Sequence, residues 1–192
     1  MNIAIFASGS GSNAENIINY FSGKKDFKFP VILSNNPNSY VLERAKKIGI
    51  PSVCFTKKEL NETDHVLNTL YQYDIDFIVL AGFLLKIPHY LIDAFPDKII
   101  NIHPALLPKY GGKGMFGSHV HEAVINSGDK ESGITIHYIN EVYDDGQTIF
   151  QTKCEISASD TKETLAEKIH QLEYKYYPII IEKLISSILE EK

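Results

Sequence analysis

Ile3-Ala4-Ile5-Phe6-Ala7-Ser8-Gly9-Ser10-Gly11-Ser12-Asn13-Ala14 passes from a continuous apolar run into a glycine- and serine-rich loop, then into a helical stretch that continues to Phe21. An apolar run without polar alternation fits a strand buried on both faces of a parallel sheet. Similar runs recur at Phe29–Leu33, Phe77–Ala81 and Ile99–Ile102, and helical stretches lie between them at Tyr40–Ile48 and, longer, from about Glu59 to Tyr73. This alternation predicts an α/β fold: one doubly wound, Rossmann-like domain over residues 1–192 with a mostly parallel sheet.

Beyond residue 130 the pattern changes. Gly133–Ile139 and Thr148–Gln151 flank a turn containing Asp145-Gly146, which predicts an antiparallel hairpin added to the sheet. A last helix is expected from about Ser159-Asp160, with Thr161 to Glu163 in its first turn. Leu165, Ile169, Leu172, Tyr176 and Ile179 recur on it at helical spacing and read as its core stripe.

A chain of 192 residues with 44% hydrophobic and 22% charged residues is in the range where one domain buries a substantial core. The balance of 19 basic against 24 acidic residues, with Arg44 the only arginine, argues against a nucleic-acid partner. Cys54 and Cys154 have neither zinc-knuckle spacing nor the density of a disulfide framework, so free, buried thiols are expected. The first residues lack the basic flank of a signal peptide, and no apolar run approaches the roughly 20 residues of a membrane span. A cytoplasmic protein with no membrane partner is expected, as monomer or homodimer.

The loop Ser8–Asn13 lies where a strand feeds a helix, the place where unpaired backbone N–H groups face an anion. Glycines allow close approach, and Ser and Asn add donors, so a phosphate suits it. The spacing lacks the third glycine of a dinucleotide fingerprint and the Gly-Lys-Ser/Thr ending of a Walker A loop. A tight strand-to-helix turn without a ligand accounts for the same residues.

Asn101-Ile102-His103-Pro104 ends an apolar strand, and ligands of open α/β sheets sit at such carboxyl ends. Alternation places Asn101 and His103 on one side. An Asn amide donates to a developing oxyanion, and an imidazole moves protons near neutral pH. A histidine before proline also serves purely structural roles, and Asp144, in Tyr143-Asp144-Asp145-Gly146, is equally explained by turn chemistry. If Asp144 reaches His103, its carboxylate favours the charged imidazole and raises its pKa.

Taken together, Ser8–Asn13, Val79-Leu80-Ala81-Gly82-Phe83, Asn101–Tyr110, Asp144-Asp145-Gly146, Glu173 and Tyr177-Pro178 resemble, in order and over essentially the whole chain, the phosphoribosylglycinamide formyltransferase family. The resemblance implies formyl transfer from 10-formyltetrahydrofolate, as co-substrate, to the amine of glycinamide ribonucleotide in purine biosynthesis, with small-molecule partners and no metal. Asn101, His103 and Asp144 match the family's catalytic trio. Gly11, Ser12 and Asn13 match its phosphate loop, and Glu173 matches a carboxylate on the same substrate. Leu84, Leu85, Lys86 and Ile87, with Asn101, match the folate contacts, and Leu107-Pro108 matches a cis bond.

Three positions depart from the pattern. Leu85 stands where a bacterial member has an arginine, the loop Gly111–Gly117 is longer, and Lys57 or Lys58 is the nearest substitute for an arginine otherwise placed near residue 59. Among rivals, a tRNA formyltransferase would need a further C-terminal domain and basic surface, and a hydrolase relative a preceding regulatory domain; neither is expected here. A formyltransferase acting on another amine, such as an amino sugar nucleotide, is the alternative. A metal site from His103, His119, His121 and His137 is a reading of another class, against which His119 and His121 line a site rim or cap a helix.

Overall fold

The computed structural model describes residues 1–190, which fall into two compact units, Met1–Ile100 and a second that starts at Asn101. In the first, β1 (Asn2–Phe6), α1 (Ser12–Tyr20), β2 (Lys28–Ser34), α2 (Tyr40–Lys47), β3 (Ser52–Cys54), α3 (Lys57–Glu62), α4 (His65–Gln72), β4 (Phe77–Leu80) and α5 (His89–Ala94) follow one another. The strands run in the order β3-β2-β1-β4. Every pairing among them is parallel, with Ile3 opposite Phe77 and Ser34 opposite Cys54.

The apolar runs explain this sheet. Ile3, Ala4, Ile5 and Phe6 are each fully buried, as are Phe77 and Val79. Consecutive positions of one strand point to opposite faces, so both faces are covered. Each of the larger side chains, Ala4 excepted, contributes roughly 1.5–3 kcal/mol on burial. Because β2 and β4 lie on opposite sides of β1, the winding reverses between β1 and β4. That reversal is where an open α/β sheet leaves a crevice at its strand ends, and the chain leaving β1 and β4 there is 7–11 and 81–88.

The boundary between the units falls within β5 (Ile99–His103). The second unit continues with α6 (Ser118–Ser127), β6 (Glu131–Tyr138), β7 (Thr148–Glu155) and α7 (Lys162–Glu190), its strands in the order β5-β6-β7. The expected antiparallel hairpin is present and longer than the sequence suggests, pairing Glu131 with Glu155 through to His137 with Thr148. The fold is therefore α/β with a mostly parallel sheet and an antiparallel hairpin near its C-terminal end.

Four expectations are corrected. The stretch Glu59–Tyr73 forms two helices: Thr63 turns extended at φ −139°, its hydroxyl donating to the Glu59 carbonyl and accepting from the His65 N–H. Side-chain bonds of this kind compete with the helical ladder. The thiols are free but not buried, Cys54 being exposed and Cys154 half-buried. The last helix begins at Lys162, where the Thr161 and Thr164 N–H groups each donate to the other residue's hydroxyl. Its buried residues include a line four apart, Leu165, Ile169, Glu173, Tyr177, Ile181 and Ile185, with Pro178 and Ile180 buried beside it, whereas Leu172, Tyr176 and Ile179 are half-exposed.

Candidate active site

In the first unit, Gly11 is the residue preceding α1, in the left-handed region at φ 73°. A Cβ there would lie 2.4 Å from Val41 Cγ2, so both conformation and space require glycine. Ser12 and Asn13 open the helix, where first-turn N–H groups lack intrahelical partners. Arg44 steadies the loop, donating from Nε to the Ser10 carbonyl at 2.9 Å and pairing with Glu15.

The Ser8 hydroxyl donates to Asn35 Oδ1 at 2.5 Å and accepts from the Leu84 N–H at 2.9 Å. One side chain thus joins the phosphate-type loop to the segment Leu84–Ile87. Within that segment Leu84 and Lys86 are exposed, Leu85 half-buried and Ile87 buried.

In the second unit, Asn101 and His103 alternate along β5, and Asp144 lies in the connection after β6, held in the left-handed region at φ 55°. Gly146 makes that connection possible, since a Cβ there would come within 1.8 Å of the Tyr138 carbonyl oxygen. Asp144 Oδ2 accepts from the Gly112 N–H at 2.9 Å and faces His103 Nδ1 at 3.6 Å. At that separation the carboxylate acts on the imidazole through its charge, not through a hydrogen bond. His103 Nε2 donates to the Tyr110 carbonyl at 2.8 Å.

Burial holds the His103 pKa below its ordinary value, with the Asp144 charge and the Tyr110 carbonyl opposing it. This corrects the expectation of a raised value: His103 is only 3% exposed, and desolvation of the cation outweighs an acceptor at ion-pair distance. Leu107-Pro108 is cis.

The sequence reading missed how His137 joins this group. Fully buried on β6, it accepts at Nε2 from Asn101 Nδ2 at 3.2 Å, lies 3.8 Å from Asp144 Oδ1, and bonds the Tyr138 carbonyl through Nδ1 at 2.9 Å. The signal available was its alternation with Thr135 along the strand. His119 and His121 sit two apart on α6, one exposed and one buried, and helical residues two apart do not share a face. Among the described residues no group of three or more His, Cys, Asp or Glu is placed to hold a metal. Glu173 is buried at 6% exposure, with His170 Nδ1 at 3.6 Å.

A buried imidazole beside a carboxylate, with an amide donor on the same strand of an α/β sheet, equips a domain for group transfer through an oxyanionic intermediate. Residues 1–181 match the formyl transferase family model. The chain belongs to the formyl transferase family. It is 36% identical to a phosphoribosylglycinamide formyltransferase of Bacillus subtilis, over 95% of this chain and 93% of that one. It is 39% identical to the chloroplastic enzyme of that name from Arabidopsis thaliana over 99% of this chain, and spans 66% of that relative's length. Of a second plant relative, from Vigna unguiculata, it spans 60%. The crystal structure of the phosphoribosylglycinamide formyltransferase of Bacillus halodurans superposes with a TM-score of 0.87 at 36% identity, covering 97% of this chain and 96% of that one.

Proposed function

We propose that the chain is a cytoplasmic enzyme that transfers the formyl group of 10-formyltetrahydrofolate to the amine of glycinamide ribonucleotide, giving formylglycinamide ribonucleotide and tetrahydrofolate. The observation that carries this reading is the linked polar group Asn101–His137–Asp144–His103, set in a family that handles formyl groups. Gly11–Asn13 take the substrate phosphate, Glu173 contacts the same substrate, and Leu84–Ile87 with Asn101 take the pterin side of the folate.

The acceptor amine attacks the formyl carbon, forming a C–N bond and moving the carbonyl electron pair onto oxygen. Asn101 Nδ2 donates to that oxygen, such a donor being worth about 3–4 kcal/mol, and the His103 cation stabilises the oxyanion by its charge. Negative charge beside His103 favours its cation, offsetting the burial that disfavours it at rest. Asp144 adds to that bias and helps position a water that relays the proton lost by the attacking amine to the departing folate nitrogen. The oxyanion then collapses and the old C–N bond breaks. Aligning two bound substrates removes several further kcal/mol of barrier.

The test is a spectrophotometric assay with glycinamide ribonucleotide and a 10-formylfolate donor. Wild type is expected to turn over, whereas Asn101→Ala, His103→Ala and Asp144→Asn bind the phosphorylated acceptor and lose transfer. Near-normal turnover in all three removes the assignment. Activity on an amino sugar nucleotide in place of glycinamide ribonucleotide redirects the substrate class.

A further inference from the structure

The group around β5 contains one imidazole that the transfer chemistry does not itself require. His137 is fully buried and lies where the β6–β7 register shifts between Ile136 and His137. Irregularities of this kind re-aim side chains.

Its protonation state follows from its partners. Nδ1 lies 2.9 Å from the Tyr138 carbonyl oxygen, which has no hydrogen to give, so Nδ1 carries the proton and donates. In a neutral ring Nε2 is then an acceptor only. The Asn101 side chain meets that bare nitrogen at 3.2 Å with Nδ2. A flipped amide would set Oδ1 against Nε2, two acceptors with no hydrogen between them. A proton on Nε2 would set two donors face to face. Asp144 Oδ1, 3.8 Å from Nε2, is beyond hydrogen-bond reach and does not compete for the contact.

We propose that His137 is a positioning residue: its Nδ1-protonated ring holds the Asn101 amide nitrogen-inward, so that the second amide hydrogen is the one offered to the tetrahedral oxygen of the transferred formyl group. The proposal rests on the formyl-transfer reading for its consequence, but not for its geometry. An Asn101 free to turn would present its carbonyl to the oxyanion in part of the population and repel it. His137 touches neither substrate in this account and acts through Asn101 alone.

Two measurements test it. In the resting wild-type protein, nitrogen-15 NMR of labelled histidine and asparagine is expected to show His137 protonated on Nδ1 and bare on Nε2, with one Asn101 amide hydrogen shifted by the bond. Kinetically, His137→Leu is expected to lower kcat about 10²-fold, as for loss of an oxyanion donor, with both KM values within about threefold of wild type. His137→Gln, whose side-chain oxygen accepts in place of Nε2, is expected to recover most of that kcat. An Nε2-protonated ring, or a folded His137→Leu enzyme with undiminished kcat, overturns the proposal. Failure of wild type to transfer formyl to any acceptor defeats the functional reading, while the NMR result still decides the tautomer and the amide orientation.

Discussion

Gly11→Ala puts the loop geometry to a quantitative trial. Gly11 sits at φ 73°, and an added Cβ would lie 2.4 Å from Val41 Cγ2, 2.5 Å from Val41 Cβ and 2.8 Å from Val41 Cα. Left-handed backbone costs a non-glycine residue about 1–2 kcal/mol, and overpacking of this kind adds about 1–3 kcal/mol. The sum is about 2–5 kcal/mol. For a chain of this size each kcal/mol moves Tm by about 2–4 °C, so a fall of roughly 4–20 °C is expected by calorimetry or dichroism. The Val41 atoms in the way include its Cα and Cβ, and the Val41 N–H is bonded to the Gly9 carbonyl at 3.1 Å. Trimming Val41 to alanine therefore relieves only the Cγ2 overlap, and the double variant should recover less than about 1 kcal/mol by double-mutant cycle. On the proposed phosphate-binding role of this loop, KM for the phosphorylated acceptor is expected to rise more than kcat falls in steady-state assays. A Gly11→Ala protein melting within about 2 °C of wild type would refute the reasoning.

Asp144→Asn keeps an acceptor for the Gly112 N–H but removes the charge facing His103, so kcat is expected to drop about 10²–10⁴-fold with acceptor affinity by calorimetry little changed; retention of a tenth of the activity contradicts it. Gly146→Ala drives a Cβ into the Tyr138 carbonyl and should lower both Tm and kcat, the latter because Asp144 is two residues away in the same connection; loss of stability with full kcat would separate the two. Burial holds the His121 pKa at about 4, so the unfolded chain takes up this proton near pH 6.5 while the folded one does not. Stability from this group is present above pH 6.5 and falls by about 2–3 kcal/mol as pH drops to about 4.5. Urea titrations of wild type and His121→Gln should show a shallower acid loss in the variant, and equal slopes would count against it.

The parallel strands were legible because burial on both faces leaves Ile3–Phe6 of β1 and all of β4 no polar position to obscure them. Strand β3 has only Ser52, Val53 and Cys54, and three residues carry no period. The break at Thr63 depends on hydroxyl bonds that no apolar pattern reports. On α7, residue type misled: Tyr176 and Ile179 are apolar enough for a core stripe, yet the fully covered line runs through Glu173, which composition assigns to solvent. Within the candidate site, the sequence offers candidate residues but not their separations. Asn101 and His103 share a strand, but Asp144 is about forty residues on, and its approach to His103 is a tertiary fact. The sign of the His103 shift was likewise hidden, because it turns on burial.

Asp144 is tethered by a main-chain N–H, that of Gly112. Such a tether is blind to side-chain identity, so substitution elsewhere in the loop 113–117 leaves the hydrogen in place, and only changes to the backbone path reach it: proline at 112, a deletion, or a residue unable to hold the Gly112 φ of 97°. In a saturation library, Lys113, Met115 and Phe116 should therefore accept wide variety, Gly114 and Gly117 should resist substitution through their own positive φ of 91° and 53°, and residue 112 should behave as all-or-none. Loop grafts from shorter relatives would succeed or fail on where the junction falls relative to that one amide.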